Sequence, residues 1–166
     1  MPGAYALRPA RPEDRELLFD IYARTRDEEL AVVRWTAAQK EAFLRQQFEA
    51  QDAHYRQHYE GAGFLVIEVS GEAVGRLYVA RWPKEIRIMD IALLPAHRGR
   101  GFGSAILGEL LAEGQATGRT VSIHVEHHNP ARSLYERLGF RPAADRGVYL
   151  LMEWKPAALP APGSRP

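Results

Sequence analysis

Cysteine is absent from the 166-residue chain. Disulfide staples, a thiol nucleophile and thiolate zinc sites are therefore excluded. Charge of one sign is lacking too: 22 Lys and Arg stand against 21 Asp and Glu, a formal net charge of +1. No broad field points to nucleic acid or to an anionic membrane surface. No apolar run reaches the roughly 18 residues that a membrane-spanning helix needs. The opening "MPGAYALRPARPEDRE" has no apolar h-region, so no signal peptide is predicted. These absences lead to the expectation of a cytoplasmic protein with no nucleic-acid partner and no membrane partner.

What is present is ordinary globular material. Hydrophobic residues make up 46% and charged residues 26% of the chain. The length suits one domain, expected over residues 1–155. The closing "KPAALPAPGSRP" holds four prolines and no core-forming period. Residues 156–166 are therefore expected to be disordered. "YALRPA" (5–10) reads as a first strand. "RPEDRELLFDIYARTRDEEL" reads as a helix, with Leu17, Leu18, Ile21 and Tyr22 at helical spacing. The next helix starts at Thr36 as N-cap, carries Leu44, Phe48, Tyr55 and Tyr59 on one face, and stops before Gly61.

The period then changes. "FLVIEV" and "AVGRLYVARW" flank "SGE" as a hairpin, and "EIRIMDIALL" is a third strand stopped by Pro95. A long helix follows the stretch "HRGRGFG" (97–103). Then come a strand at 121–126 and a short helix, with Asn129 as N-cap, Pro130 at the first position and Gly139 as C-cap. "VYLLMEW" (148–154) is the last strand. Strands and helices alternate only partly, which argues for an α/β (α+β) fold: a mixed sheet with helices on both faces.

"HRGRGFG" is the stretch that carries chemistry. A strand feeding a glycine-rich turn into a helix start gathers unpaired backbone N–H groups and a partial positive charge. Glycines let a diphosphate approach closely, and Arg98 and Arg100 add donors suited to phosphate. No lysine follows these glycines as a Walker A loop requires, and G-x-G-x-G is not the dinucleotide fingerprint.

R-x-x-G-x-G does fit, through Arg98, Gly101 and Gly103, directly after "ALLP". A second block, "VSIHVEHHNPARSLYERLGF", has Asn129 and Tyr135 six apart before "LGF". Together they resemble the GNAT superfamily of acetyl-CoA-dependent N-acetyltransferases. The resemblance is motif-bearing over about 64–154 and covers 4–60 by element order alone.

The resemblance implies a mostly antiparallel sheet of six to seven strands. In it, the strand before the loop and the strand at 121–126 run parallel and splay apart. It implies acetyl-CoA as cosubstrate. The pantetheine arm would lie along the backbone of Ala92, Leu93 and Leu94. The pyrophosphate would lie on Arg98, Gly99, Arg100, Gly101, Phe102, Gly103 and Ser104. Asn129, Arg132 and Tyr135 complete the cofactor-binding set it implies, with Tyr135 as general acid for the leaving thiolate.

The base stays open between residues. Ser122, His124 and Glu126 form the polar face of an otherwise apolar strand, which makes Glu126 and His124 candidates beside the substrate. Asp90 is the only acid in "IMDIALL", and burial would raise its pKa toward that of a base. Its alternative is a structural carboxylate bonded to backbone. Position 87, where some family members carry a glutamate nearby, is arginine. A water relay, or uptake of an already neutral amine, remains an alternative to a direct base. "HVEHH" brings three histidines close without further ligands, so no metal is expected.

Tyr55 and Tyr59 are candidates for the wall of an acceptor site, with simple packing as the alternative. The expected acceptor is a small-molecule amine, an amino acid, or a peptide or protein amine. Bulky Met89 and Leu94 favour a short acyl group. The family often dimerises, so a homodimer belongs to the expectation. Two other readings use the same loop: a catalytically silent acyl-CoA-binding or sensor domain, and a scaffold for another nucleotide.

Overall fold

A computed structural model describes residues 3–158. Strand β1 (Tyr5–Pro9) leads to helices α1 (Arg15–Thr25), α2 (Asp27–Ala31) and α3 (Ala37–His58). Strands β2 (Gly63–Val69), β3 (Glu72–Arg81) and β4 (Glu85–Leu93) follow. Helix α4 (Phe102–Thr117), strand β5 (Thr120–Glu126) and helix α5 (Ala131–Arg137) come next. Strands β6 (Arg141–Arg146) and β7 (Tyr149–Trp154) close the order. The strands form one mixed, mostly antiparallel sheet in the order β1-β2-β3-β4-β5-β7-β6.

Local chemistry explains most boundaries. Thr36 caps α3 by accepting from the Gln39 N–H at 3.1 Å, while Gln39 Oε1 accepts from the Thr36 N–H at 2.9 Å. This reciprocal box satisfies two N–H groups that the helix start leaves open. The β2–β3 turn places Ser70 at φ 52° and Gly71 at φ 78°. Two successive left-handed residues make the turn whose twist matches a hairpin.

The single helix expected over 11–30 is divided. Thr25 Oγ1 donates to the Tyr22 carbonyl at 2.6 Å, and the chain leaves the helical region at Arg26 (φ −105°, ψ 3°). A side-chain bond back into the last turn competes with the backbone ladder there.

By internal contacts the chain has two units. The first comprises the described residues up to Tyr78 together with Asp90–Gly103. Its core joins Leu18, Phe19, Tyr22, Leu44, Phe48 and Val66. Phe19 and Phe48 meet edge to face at 5.7 Å, a favoured aromatic geometry. The second comprises Val79–Met89 and the described residues from Ser104 on. Val121, Ile123, Val125, Leu150 and Met152 are buried in it, as are Ile106, Leu107 and Leu110 of α4.

In the second unit β4 and β5 pair in parallel from Glu85↔Thr120 to Ile88↔Ile123, where the ladder ends. β4 continues to Leu93, in the first unit, where the Leu94 N–H donates to the Val74 carbonyl at 2.8 Å.

Strand β6 was not foreseen. "RPAADR" contains Pro142 and no apolar alternation, and its residues are exposed or half-exposed. It pairs only with β7 in this sheet order, with a register shift between Pro142 and Ala144. An outer strand need not carry the apolar pattern that betrays an inner one. Of the tail expected to be disordered, residues 159–166 lie outside the described residues. Ala157 exchanges two hydrogen bonds with the Gln115 amide, at 2.8 and 3.2 Å.

Candidate active site

The first unit holds the strand end and the glycine-rich corner. Leu94 leaves β4 in extended conformation, and a single 3-10 turn, Pro95–His97, precedes the loop. Gly99 (φ 71°) and Gly101 (φ 89°) are left-handed. At these two positions a side chain would strain the backbone, which explains the alternation of glycine there. Arg98 turns back on the loop: its Nε donates to the Leu93 carbonyl at 2.8 Å. It fixes the corner against the strand end, a role beyond the phosphate contact that its charge suggests.

The exposed Arg100 lies with its guanidinium 5.5 Å from the Phe102 ring, and Phe102 is buried as the anchor of α4. Gly103 is half-buried and Ser104 exposed in the first turn of α4. Ala92 is buried, whereas Leu93 and Leu94 are half-buried. A side chain on Gly75 of β3 would put its Cβ 2.4 Å from the Ala92 carbonyl oxygen, so glycine permits a very close approach to β4.

Asp90 is not a lone carboxylate. Arg76 Nε of β3 donates to its Oδ2 at 2.5 Å, and Arg76 Nη2 donates to Gln51 Oε1 of α3 at 2.8 Å. Arg76 is 1% exposed, whereas the Asp90 side chain is 26% exposed. Burial works against the Arg76 charge. The Asp90 carboxylate and the nearby phenols of Tyr78 and Tyr55 outweigh it, holding the guanidinium above its ordinary value. Asp90 is thus bonded to a side chain, where the structural alternative had expected backbone.

The rings of Tyr78 and Tyr22 lie 4.7 and 5.8 Å from the guanidinium. Burial pushes the Tyr78 phenol up. Tyr55 meets Tyr78 at 5.9 Å and Tyr59 at 6.0 Å, both edge to face. Tyr55 and Tyr59 are half-buried, so both pack and both remain accessible.

Sequence reasoning missed Arg76. A signal existed: one arginine inside the apolar run "AVGRLYVA" and one acid inside "IMDIALL" are natural counter-ions on consecutive strands.

The second unit holds the other candidates. Ser122, expected to line the substrate space with His124 and Glu126, is 1% exposed. It donates to Glu85 Oε2 at 2.6 Å and accepts from Arg87 Nε at 2.8 Å. It belongs to a buried polar network on β4 and β5. His124 is exposed, with Arg87 Nη1 3.4 Å from its Nδ1. Burial pushes its imidazole below the ordinary value, and Arg87 and Arg146 push in the same direction.

Glu126 is exposed at the end of β5. α5 starts at Ala131 with Pro130 as its N-cap, one residue later than expected, and Asn129 Oδ1 accepts from the Ala131 N–H at 2.9 Å. Arg132 Nε donates to Glu136 at 3.0 Å along the helix. Tyr135 is 6% exposed, with its ring 5.8 Å from Phe140. Among the described residues no group of three or more His, Asp or Glu stands close enough to hold a metal ion. No described helix is long and apolar enough to cross a membrane.

The family model of the acetyltransferase (GNAT) family matches residues 20–140. The chain belongs to that family. It is 38% identical over 66 residues to a [ribosomal protein bS18]-alanine N-acetyltransferase of Haemophilus influenzae. That match covers 39% of this chain and 45% of the relative, so the chain spans less than half the relative's length. A PaiA N-acetyltransferase from Thermoplasma acidophilum, solved in complex with coenzyme A, has the same fold at 18% identity. Its TM-score is 0.70, over 92% of this chain and 99% of that one. A histone acetyltransferase HPA2 and related acetyltransferase from Corynebacterium glutamicum is 26% identical. Its TM-score is 0.65, over 97% and 99% of the two chains.

Proposed function

We propose that this chain moves an acetyl group from acetyl-CoA to a primary amine by direct attack. The observation that carries the reading is the corner between β4 and α4. Two left-handed glycines, Gly99 and Gly101, turn the chain from an extended strand end into a long helix. The opening N–H groups of that helix suit a pyrophosphate. Beyond Ile88 the β5 ladder stops, and the remaining backbone of β4 suits hydrogen bonds to a pantetheine amide.

The amine nitrogen attacks the thioester carbonyl, the C–S bond breaks, and the thiolate takes a proton as it leaves. Tyr135 is the donor that the family resemblance assigns. Its phenol O–H is the proton such a donor gives, and the side chain is buried away from bulk water. The acceptor is a small amine, an amino acid or a peptide amine. The bS18-alanine enzyme of H. influenzae supports the peptide arm of that choice.

Calorimetry with coenzyme A tests the corner. The unsubstituted chain is expected to bind, and Gly101→Glu to bind at least about tenfold more weakly, because a carboxylate then faces the phosphates. Equal affinities would remove the corner from the reading.

A further inference from the structure

The Arg76–Asp90 pair has two unlike ends. Its inner end is satisfied: Arg76 is 1% exposed, bonded to Asp90 Oδ2 and Gln51 Oε1, and faced by the rings of Tyr78 and Tyr22. Its outer end is not. The Asp90 side chain is 26% exposed, and its Oδ1 accepts no hydrogen bond from any described residue. Asp90 also stands two residues before Ala92, about 7 Å along an extended strand.

Resting on the reading that the thioester lies against β4 at Ala92–Leu94, we infer that Asp90 orients the acceptor amine without taking its proton, and that Arg76 is a positioning residue acting through Asp90. Oδ1 accepts an N–H of the incoming ammonium while Oδ2 stays on Arg76. Were Asp90 to take the proton, a neutral carboxyl would leave a buried guanidinium without its counter-charge, which a protein interior penalises heavily. Orientation keeps the pair intact, and the proton leaves to water.

The acceptor class that fits is a cationic primary amine with an apolar or aromatic stem. Tyr55 is half-buried and stands edge to face on the buried Tyr78 at 5.9 Å, so its ring offers apolar surface beside the pair. The other titratable groups facing the pair are Tyr78 on β3, Tyr55 on α3 and Tyr22 on α1, and Asp52 on α3 acts in turn on Tyr78.

The test compares Asp90→Asn, Arg76→Met and the double variant with the unsubstituted protein. The probes are acetyl-CoA with 2-phenylethylamine and with an alanine-initiated tetrapeptide. Asp90→Asn strands a buried guanidinium and Arg76→Met a half-buried carboxylate, and each is expected to unfold at lower temperature. The double variant removes both charges and is expected to recover most of that loss. Its acceptor KM is nonetheless expected to stay at least about tenfold raised. KM for acetyl-CoA and the position of the basic-group limb in the pH profile are expected to stay put.

A purely structural pair predicts that acceptor KM returns together with stability in the double variant. A base role predicts that the limb disappears with Asp90. Either result overturns the inference. Coenzyme A binding without turnover of either amine overturns it alone. Failure of the unsubstituted protein to bind coenzyme A overturns the acetyl-transfer reading, and this inference with it.

Discussion

Gly75→Ala probes how closely β3 approaches the end of β4. The new methyl group would lie 2.4 Å from the Ala92 carbonyl oxygen, 2.9 Å from Leu93 Cδ2 and 3.2 Å from Ile67 Cδ1. Ordinary van der Waals contact needs about 3.5 Å, so the backbone of β4 must retreat by roughly 1 Å. Two of the three obstacles are side-chain ends that can turn aside, but the first is main chain. Overpacking of this kind costs about 1–3 kcal/mol. For a chain of this size that lowers the unfolding midpoint by roughly 2–12 °C.

The retreat displaces the backbone on which the pantetheine arm is proposed to lie, so coenzyme A affinity should fall with stability. Gly108→Ala is the control. It sits in α4 with nothing within 4 Å of the added Cβ, and alanine in a helix should stabilise by about 0.5–1 kcal/mol. Thermal unfolding and calorimetric titration of both variants provide the comparison. A Gly75→Ala protein that melts with the unsubstituted chain and binds coenzyme A equally well would refute the close approach.

Two further outcomes are expected. Tyr135→Phe should lower kcat more than KM, with little loss of stability because the ring keeps its packing on Phe140; steady-state kinetics with an unchanged kcat would remove Tyr135 as the acid. Arg8 holds the Asp14 carboxyl down at about 2 from 3.8, with the Arg11 N–H adding to the effect and burial opposing it. A lowered folded-state value means stability that is present above about pH 4 and lost as pH falls through about 2. Asp14→Asn should therefore be roughly 1–2 kcal/mol less stable at pH 7 and match the parent below pH 2, as read by denaturant unfolding.

Much of the architecture was legible because its signals are local. Thr36 and Gln39 announce the start of α3, and "SGE" announces the hairpin. The loop was legible for the same reason, since left-handed backbone at Gly99 and Gly101 demands glycine. The division of the first long helix at Arg26 was not legible. It depends on the Thr25 hydroxyl turning back, an option every threonine carries and few take.

Asp90 was visible as an acid among apolar residues, but its partner was not. The Arg76–Asp90 bond spans 14 positions, and Gln51 joins from 25 positions away. Such long-range company escapes any reading by period. Ser122 shows the converse. Strand alternation placed it with His124 and Glu126, yet Glu85 and Arg87 claim it from the neighbouring strand.

The slipped register of β6 has a consequence for how these molecules meet one another. An outermost strand normally offers a free row of amides to a neighbour's sheet, the route by which folded proteins stack into fibres. Here Pro142 withholds one donor, the misstep beside it spoils the spacing, and Arg141, Asp145 and Arg146 line the border with mixed charge. A second chain approaching this rim would find no regular template to zip onto, so growth by sheet extension is discouraged on that side.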